Sequence, residues 1–342
     1  MSLTAEQIVD LLTTTQKDLG RLEWVNLTTD LQEYVALPKI LKKESVKFSG
    51  GIGIQWNVKV AYTNSAHNVG LFEEDSLKIG DGMKTASIPW RHCSAHYAFE
   101  RREVLMNRGP YQIVDLYRSR RQDGQLSLAE LMEQNFWGKP DDSTDEMTPY
   151  GVAYWVVKNS TEGFNGGNPS GFSDGCGGLS SVTYPRWRNW TAQYAEITRE
   201  DLVRKWRKAA TFTKFISPVE GPKDYNRGDR YGYYTNYNVI GPLEELLDDR
   251  NDNLGPDLAT NDGKVLFRRL PVVWVPYLES DSTDPIYGIN WGVFQPVFLD
   301  GDYLHEEKPQ AVSNSHNVFA VYIDCTFNFR CTDRRRLFVL YK

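Results

Sequence analysis

The sequence predicts an α+β protein, and three observations carry that prediction. In "GIGIQWNVKVAY", Ile52, Ile54, Trp56, Val58, Val60 and Tyr62 alternate with Gly53, Gln55, Asn57, Lys59 and Ala61. A period of two over so many residues is a half-buried strand with one wet face. Near the C-terminus, Phe319, Val321, Ile323, Cys325, Phe327 and Phe329 alternate with Tyr322, Asp324, Thr326 and Asn328. Between these strands, Ile113, Val114, Leu116 and Tyr117, continued by Leu128, Leu131, Met132 and Phe136, give a stripe at helical spacing from about Pro110 to Trp137.

The elements follow in order. Thr4 with Gln7 forms a capping box, and Ile8, Leu11 and Leu12 mark the apolar face of an opening helix. Residues 20–45 read as extended or irregular, with a basic cluster from Lys39 to Lys43. The strand at 52–62 has a return strand within 85–100. The tip between them, 63–84, holds the acidic run Glu73, Glu74 and Asp75. A lone two-stranded ribbon is marginal in water, so it needs a partner, and a second copy of the chain is the natural one. Pro110 suits the start of the long helix, and Gly124 marks a bend or break in it. The acidic, proline-flanked segment 138–149 is a boundary. Short strands at 152–157 and 272–276 then mix with two helices. Thr198 caps one near 199–211, which buries Leu202, Val203, Trp206, Ala209 and Ala210. The other is "GPLEELLDDRN". A turn at Thr332–Asp333 leads to a last strand from Leu337 to Tyr341.

Composition narrows the function. A chain of 342 residues, 40% hydrophobic and 25% charged, buries a sizeable core. Its net charge of −6 argues against a dedicated nucleic-acid binder. No apolar run reaches the roughly 20 residues a membrane span needs, and "MSLTAEQIVDLL" has no signal-peptide pattern. The chain is expected to be cytoplasmic when made. Its 13% aromatic content suits strands and protein contact surfaces, and it also suits carbohydrate binding. The four cysteines are too few for a disulfide scaffold. Cys325 and Cys331 would stand ~20 Å apart along a strand, too far to bridge, so free buried thiols are expected.

No constellation makes a catalytic site. The loop "GFNGGNPSGFSDGCGG", Gly163 to Gly178, holds more than a quarter of the chain's 27 glycines. It lacks the lysine of a phosphate-binding loop and the strand-to-helix setting of a dinucleotide fingerprint. His92-Cys93-x-x-His96 offers metal-ligand types, but on a strand the histidines stand ~13 Å apart. "DDRNDNLGPD" fails as a calcium loop at Leu254 and Thr260. Nucleophile signatures of the GxSxG kind are absent, and nothing pairs two carboxylates for glycoside hydrolysis. Arg330, Arg334, Arg335 and Arg336 read as a solvated or interchain salt-bridge face, with phosphate as the alternative. No catalytic residue, metal or cofactor is expected, and the protein is expected not to be an enzyme.

Several stretches together resemble the tailed-bacteriophage major capsid proteins with the Hong Kong 97-type fold. They are "MNRGPYQIVDLYRSRR", "GFNGGNPSGF" with "YPRWRNWTAQY", "RNDNLGPDL" with "VLFRRLPVVWVPYL", "DPIYGINWGVFQPVFLDGDYLHE" and "SHNVFAVYIDCTFNFRCTDRRRLFVL". The resemblance implies an N-terminal arm at 1–45 and an extended loop, the β-ribbon, at 46–100. It implies a peripheral domain with a long spine helix at 101–145 and an axial domain with connections at 146–315. Return strands to the peripheral domain would occupy 316–342. It also implies a structural subunit that self-assembles into hexamers and pentamers of an icosahedral head around double-stranded DNA. The implied partners are other copies, a separate scaffolding protein, a portal, a decoration or cement protein, and DNA contacted without sequence specificity; no membrane is involved. The chain would sit in the virion capsid after assembly in the host cytoplasm. Intersubunit contact is expected at Ile54, Trp56, Val58, Glu73, Glu74 and Asp75. The glycine loop is expected to adapt between subunit environments. The alternative is a carbohydrate-active or tail-associated phage protein.

Overall fold

The computed structural model describes residues 35–42, 46–61, 66–68, 71, 82–106, 116–214, 231–248, 265–313 and 315–342. The opening helix, most of the N-terminal arm, the start of the long helix near Pro110, the acidic run at 73–75 and most of the stretch after Asp248 lie outside these residues.

Two six-stranded sheets and a two-stranded ribbon organise the chain. The first sheet is built on β13, Val318–Cys331. Along one edge it pairs antiparallel with β4, Arg91–Glu100. Along the other it meets β12 (Gln310–Ala311), β11 (His305–Glu306) and β10 (Phe294–Leu299) in turn, and β1 (Val46–Phe48) adds parallel to β10. The alternation seen in the sequence holds in the first half of the strand, where Val321, Ile323 and Cys325 are buried while Tyr322 is exposed; further on both faces are covered, and Thr326 and Asn328 are buried with Phe327 and Phe329. A 22-residue helix, Leu116–Trp137, packs on β4 and buries Leu128, Met132 and Phe136. It runs unbroken through Gly124. A Cβ there would lie 3.4 Å from the Tyr97 ring, so the glycine serves close helix–sheet approach and not a bend.

The second sheet has the order β5-β14-β9-β6-β8-β7, comprising Trp190–Gln193, Phe338–Tyr341, Ile286–Asn290, Tyr231–Thr235, Leu270–Trp274 and Leu266–Phe267. Both of its faces are covered. Tyr234, Tyr287, Ile289 and Val339 face the core shared with the long helix and first sheet. Tyr233, Ile286, Phe338 and Leu340 face a smaller core with Trp206, Ala209 and Leu243, on the helices Arg204–Phe212 and Tyr237–Asp248. Thr198 caps the first of these helices as its sequence predicts, accepting from the Asp201 N–H. The second begins ahead of the expected Gly241, and Pro242 lies inside it.

Three sequence expectations are revised. The segment at 152–157 opens with a single helical turn, Val152–Trp155, because Tyr154 and Trp155 must both turn inward. The return strand of the ribbon divides in two: β3, Met83–Pro89, pairs with β2, Gly53–Lys59, and β4 then joins the first sheet. Pro89, which has no N–H for a ladder, ends β3. The tail 316–342 is shared between sheets, since β13 lies in the first and β14 in the second.

Glu133 ties the chain's start to the long helix. Its buried carboxylate accepts from the N–H groups of Val35, Ala36 and Leu37 at 2.8–3.2 Å and from Trp137 Nε1 at 2.9 Å. Bonds to a charged acceptor contribute about 1.5–3 kcal/mol each. An amide at this position keeps only one oxygen and turns two donors toward N–H groups. Glu133→Gln is therefore expected to loosen residues 35–42 selectively. Limited proteolysis read by mass spectrometry should show faster cleavage near Ala36; an unchanged cleavage rate there would remove Glu133 as the anchor.

Candidate assembly surfaces and the glycine-rich loop

The glycine-rich loop is the structural centre between ribbon, sheets and helices, and it is held tightly. Asn168 Oδ1 accepts from the Ser181 N–H and Oγ, and Asn168 Nδ2 donates to the Ser173 carbonyl. Tyr154 Oη donates to the Gly175 carbonyl and accepts from the Gly177 N–H, while Trp187 Nε1 donates to the Cys176 carbonyl. Gly175 and Gly177 have φ of +79° and +63°, where only glycine is unstrained. A Cβ on Gly166 would overlap the Asn189 amide. In this chain the loop is closely packed, and the glycines permit backbone to meet backbone and ring.

Arg334 organises this region from beneath. Its guanidinium is fully buried. Nε donates to the Trp155 carbonyl, Nη1 to the Trp187 carbonyl, and Nη2 to the Gly167 carbonyl and Asn189 Oδ1, all at 2.9–3.1 Å. Arg336 is buried as well, Arg335 lies over the Phe164 ring, and Arg330 donates to Gln295 beside the Phe48 ring. Burial lowers the pKa of Arg330. The arginine cluster is therefore not the solvated face its charge suggests. Backbone carbonyls, which no sequence pattern displays, supply most of the acceptors.

The ribbon is clamped to the same loop. The Ser87 N–H donates to the Gly177 carbonyl at 3.0 Å, and the Trp56 ring lies 6.0 Å from that of Trp155. Ile54 and Val58 are buried in their own chain, in one core with Ala86 and Ile88. Of the residues expected to meet a neighbour, Ile54 and Val58 are thus buried against their own chain and Trp56 is half-buried. The outward face carries Gln55, Asn57, Lys59, Thr85 and Ser87, with Ile52 and Met83 also exposed. Glu73, Glu74 and Asp75 fall outside the described residues.

The chemistry tested in the sequence finds no site among the described residues. On β4 the two histidines point outward and Cys93 inward. His92 Nδ1 meets Thr326 Oγ1 at 2.8 Å, and no group of three ligands gathers that could hold a metal. All four cysteines are buried free thiols. Burial pushes Cys93 and Cys176 up to about 11 and Cys325 up to about 12, values unsuited to a nucleophile at neutral pH. Trp137, Trp155, Trp187, Trp190, Trp206 and Trp291 are buried, so they offer no shelf for a sugar.

Of the carboxylates held below their ordinary range, Glu306 and Asp281 pair with cations far off in sequence. Arg121 holds Glu306 below the ordinary glutamate range, with its Nη2 2.6 Å from Oε2. Burial pushes Asp281 up, but Lys158 and Thr283 together outweigh it and leave the carboxyl below the usual range. Folded values below the unfolded ones mean stability that is complete above the ordinary carboxylate range and lost as pH falls through the lowered values. Unfolding titrations should be flat above about pH 5 and decline below about pH 4. Glu306→Gln should shrink that decline; an unaltered profile would remove Glu306 from the account.

No known family matches the sequence, and no curated protein does. Solved structures do. The capsid asymmetric unit of cyanophage A-1(L) superposes with a TM-score of 0.61 at 15% identity, covering 96% of this chain and 98% of the other. The capsid of a native GTA particle gives 0.57 at 12%, covering 95% and 96%. The capsid of Myoviridae phage XM1 gives 0.56 at 10%, covering 100% and 99%. The chain has the α+β fold of phage capsid proteins.

Proposed function

We propose that this chain is the shell-forming subunit of a tailed-phage head, self-assembling into hexamers and pentamers of an icosahedral capsid that encloses double-stranded DNA. The observation that carries the reading is the match to capsid chains along nearly the whole length of both partners. In this reading the first sheet and long helix form the peripheral domain, the second sheet and its two helices the axial domain, and the ribbon of β2 and β3 within residues 46–100 the extended loop. Scaffolding, portal and decoration proteins are its partners, and its role involves no catalysis. Large permanent interfaces of ~2,000–5,000 Å² are usual for such obligate assemblies, and ring closure makes modest pairwise contacts collectively strong.

Electron microscopy of the purified protein, alone and co-expressed with its scaffold, is the test. Rings, sheets or closed shells are expected. A monodisperse monomer in every condition would overturn the proposal.

A further inference from the structure

At the β7 edge of the second sheet, a groove of about 220 Å³ has an apolar floor and a basic rim. Leu266 and Phe267 give the floor its accessible apolar surface, with Phe267 stacked at 4.2 Å on the buried Trp206, and Arg199, Arg207 and Arg268 surround it. On the adjoining helix Lys205 pairs with Asp201 and Lys208 with Glu162. Arg199, Arg204, Arg207 and Arg269, in contrast, have no carboxylate partner among the described residues. The chain as a whole is acidic, with net charge −6, so this concentration of arginine without a carboxylate partner among the described residues is local.

The turn between β7 and β8 adds a second observation. It is a two-residue hairpin turn whose central residues are Arg268 and Arg269, at φ +50° and +69°. Such turns favour asparagine and glycine, and a left-handed residue with a larger side chain is strained. Arg268 recovers part of this by donating to the Arg207 carbonyl and Thr211 Oγ1 at the end of the neighbouring helix. The exposed side chain of Arg269 makes no such contact among the described residues, so the turn presents it to solvent beside Arg268.

The complementary surface is on the same molecule. The loop after Trp137 carries Asp141, Asp142, Asp145 and Glu146, followed by Met147, which is 84% exposed. Hydrogen bonds from Thr144, Met147 and Thr148 to Asp142 and Asp145 hold it in shape. It lies against Arg91 and Gly171, beside the first sheet, whereas the groove is at the outer edge of the second. An apolar floor with an arginine rim fits an acidic loop bearing an exposed methionine better than it fits bare phosphate.

We infer that the arginine-rimmed groove of one copy receives the acidic 141–147 loop of a second copy. The two surfaces differ, so the contact is head-to-tail and propagates into rings, and its strength falls with salt. This inference rests on the proposed shell function.

A charge swap tests it, read by sedimentation velocity and electron microscopy of the full-length chain. R207E/R269E and D141K/E146K alter side chains that make no hydrogen bond among the described residues, and unchanged thermal unfolding verifies each variant. Each alone is expected to weaken association at least tenfold, and an equimolar mixture to restore it, since each then supplies the surface the other needs. Variants that assemble as the wild type does, or a mixture without recovery, would overturn the inference while leaving the shell function standing. Weakened binding of duplex DNA by R207E/R269E with assembly intact would reassign the groove to nucleic acid. A wild-type chain that never associates would overturn both readings.

Discussion

Replacing Arg334 by methionine is expected to lower the free energy of unfolding by roughly 3–5 kcal/mol, as removal of a buried charge that satisfies several partners does. The guanidinium has no carboxylate partner among the described residues; three carbonyls and one amide oxygen take its protons. Methionine fills most of the volume but leaves the three carbonyls without this donor and Asn189 Oδ1 with only the Val157 N–H. These acceptors come from residues 155, 167, 187 and 189, which together define the glycine-rich loop and its flanks, so the loss is cooperative and not confined to one bond. Lysine does not substitute, because a point charge cannot reach acceptors spread around a planar fork. Arg335→Met is the control. Arg335 lies over the Phe164 ring at 4.7 Å, a half-exposed contact whose loss should cost no more than about 1 kcal/mol. Urea denaturation of both variants measures the contrast. Equal stability of the two would show that the buried fork is not what holds the loop.

Arg334 also marks where the sequence stopped being legible. Period-two alternation located β2 and β13 because each strand has one face inside, and that relation depends only on neighbours along the chain. The apolar stripe from Leu128 to Phe136 worked in the same way. Burial of Arg334 and Glu133 depends instead on backbone groups far off in sequence, and a charge within "DRRRL" or "LMEQN" looks like any solvated charge. The glycine loop illustrates a subtler limit. Its glycine count was visible, but glycine permits both mobility and tight packing, and the fold selects packing through Asn168, Tyr154 and Asn189. The ribbon was found, and its inward face was assigned to another copy. Trp155 and Gly177, the residues it packs on, lie about a hundred positions later in the chain and carry no mark of that pairing.

The ribbon's placement gives the sharpest contrast between folding and assembly. Ile54→Asp is expected to destabilise the subunit itself by about 4 kcal/mol or more, since it puts a carboxylate without a partner into a closed apolar site. Ile54 is fully buried beside Ala86 and Ile88, and the Ser87–Gly177 bond fixes β3 against the loop. Gln55→Asp, one residue along and facing solvent, is expected to leave unfolding within about 0.5 kcal/mol of the wild type. If the outer face meets a neighbouring copy, that same change should instead alter assembly and its salt dependence. The pair therefore separates the two faces by two readouts. Denaturation of the dissociated subunit should respond to position 54 and not to 55, and particle yield at fixed subunit stability should respond to 55. An Ile54→Asp subunit that unfolds like the wild type and fails only in assembly would return the apolar face to the intersubunit contact and detach the ribbon from its own core.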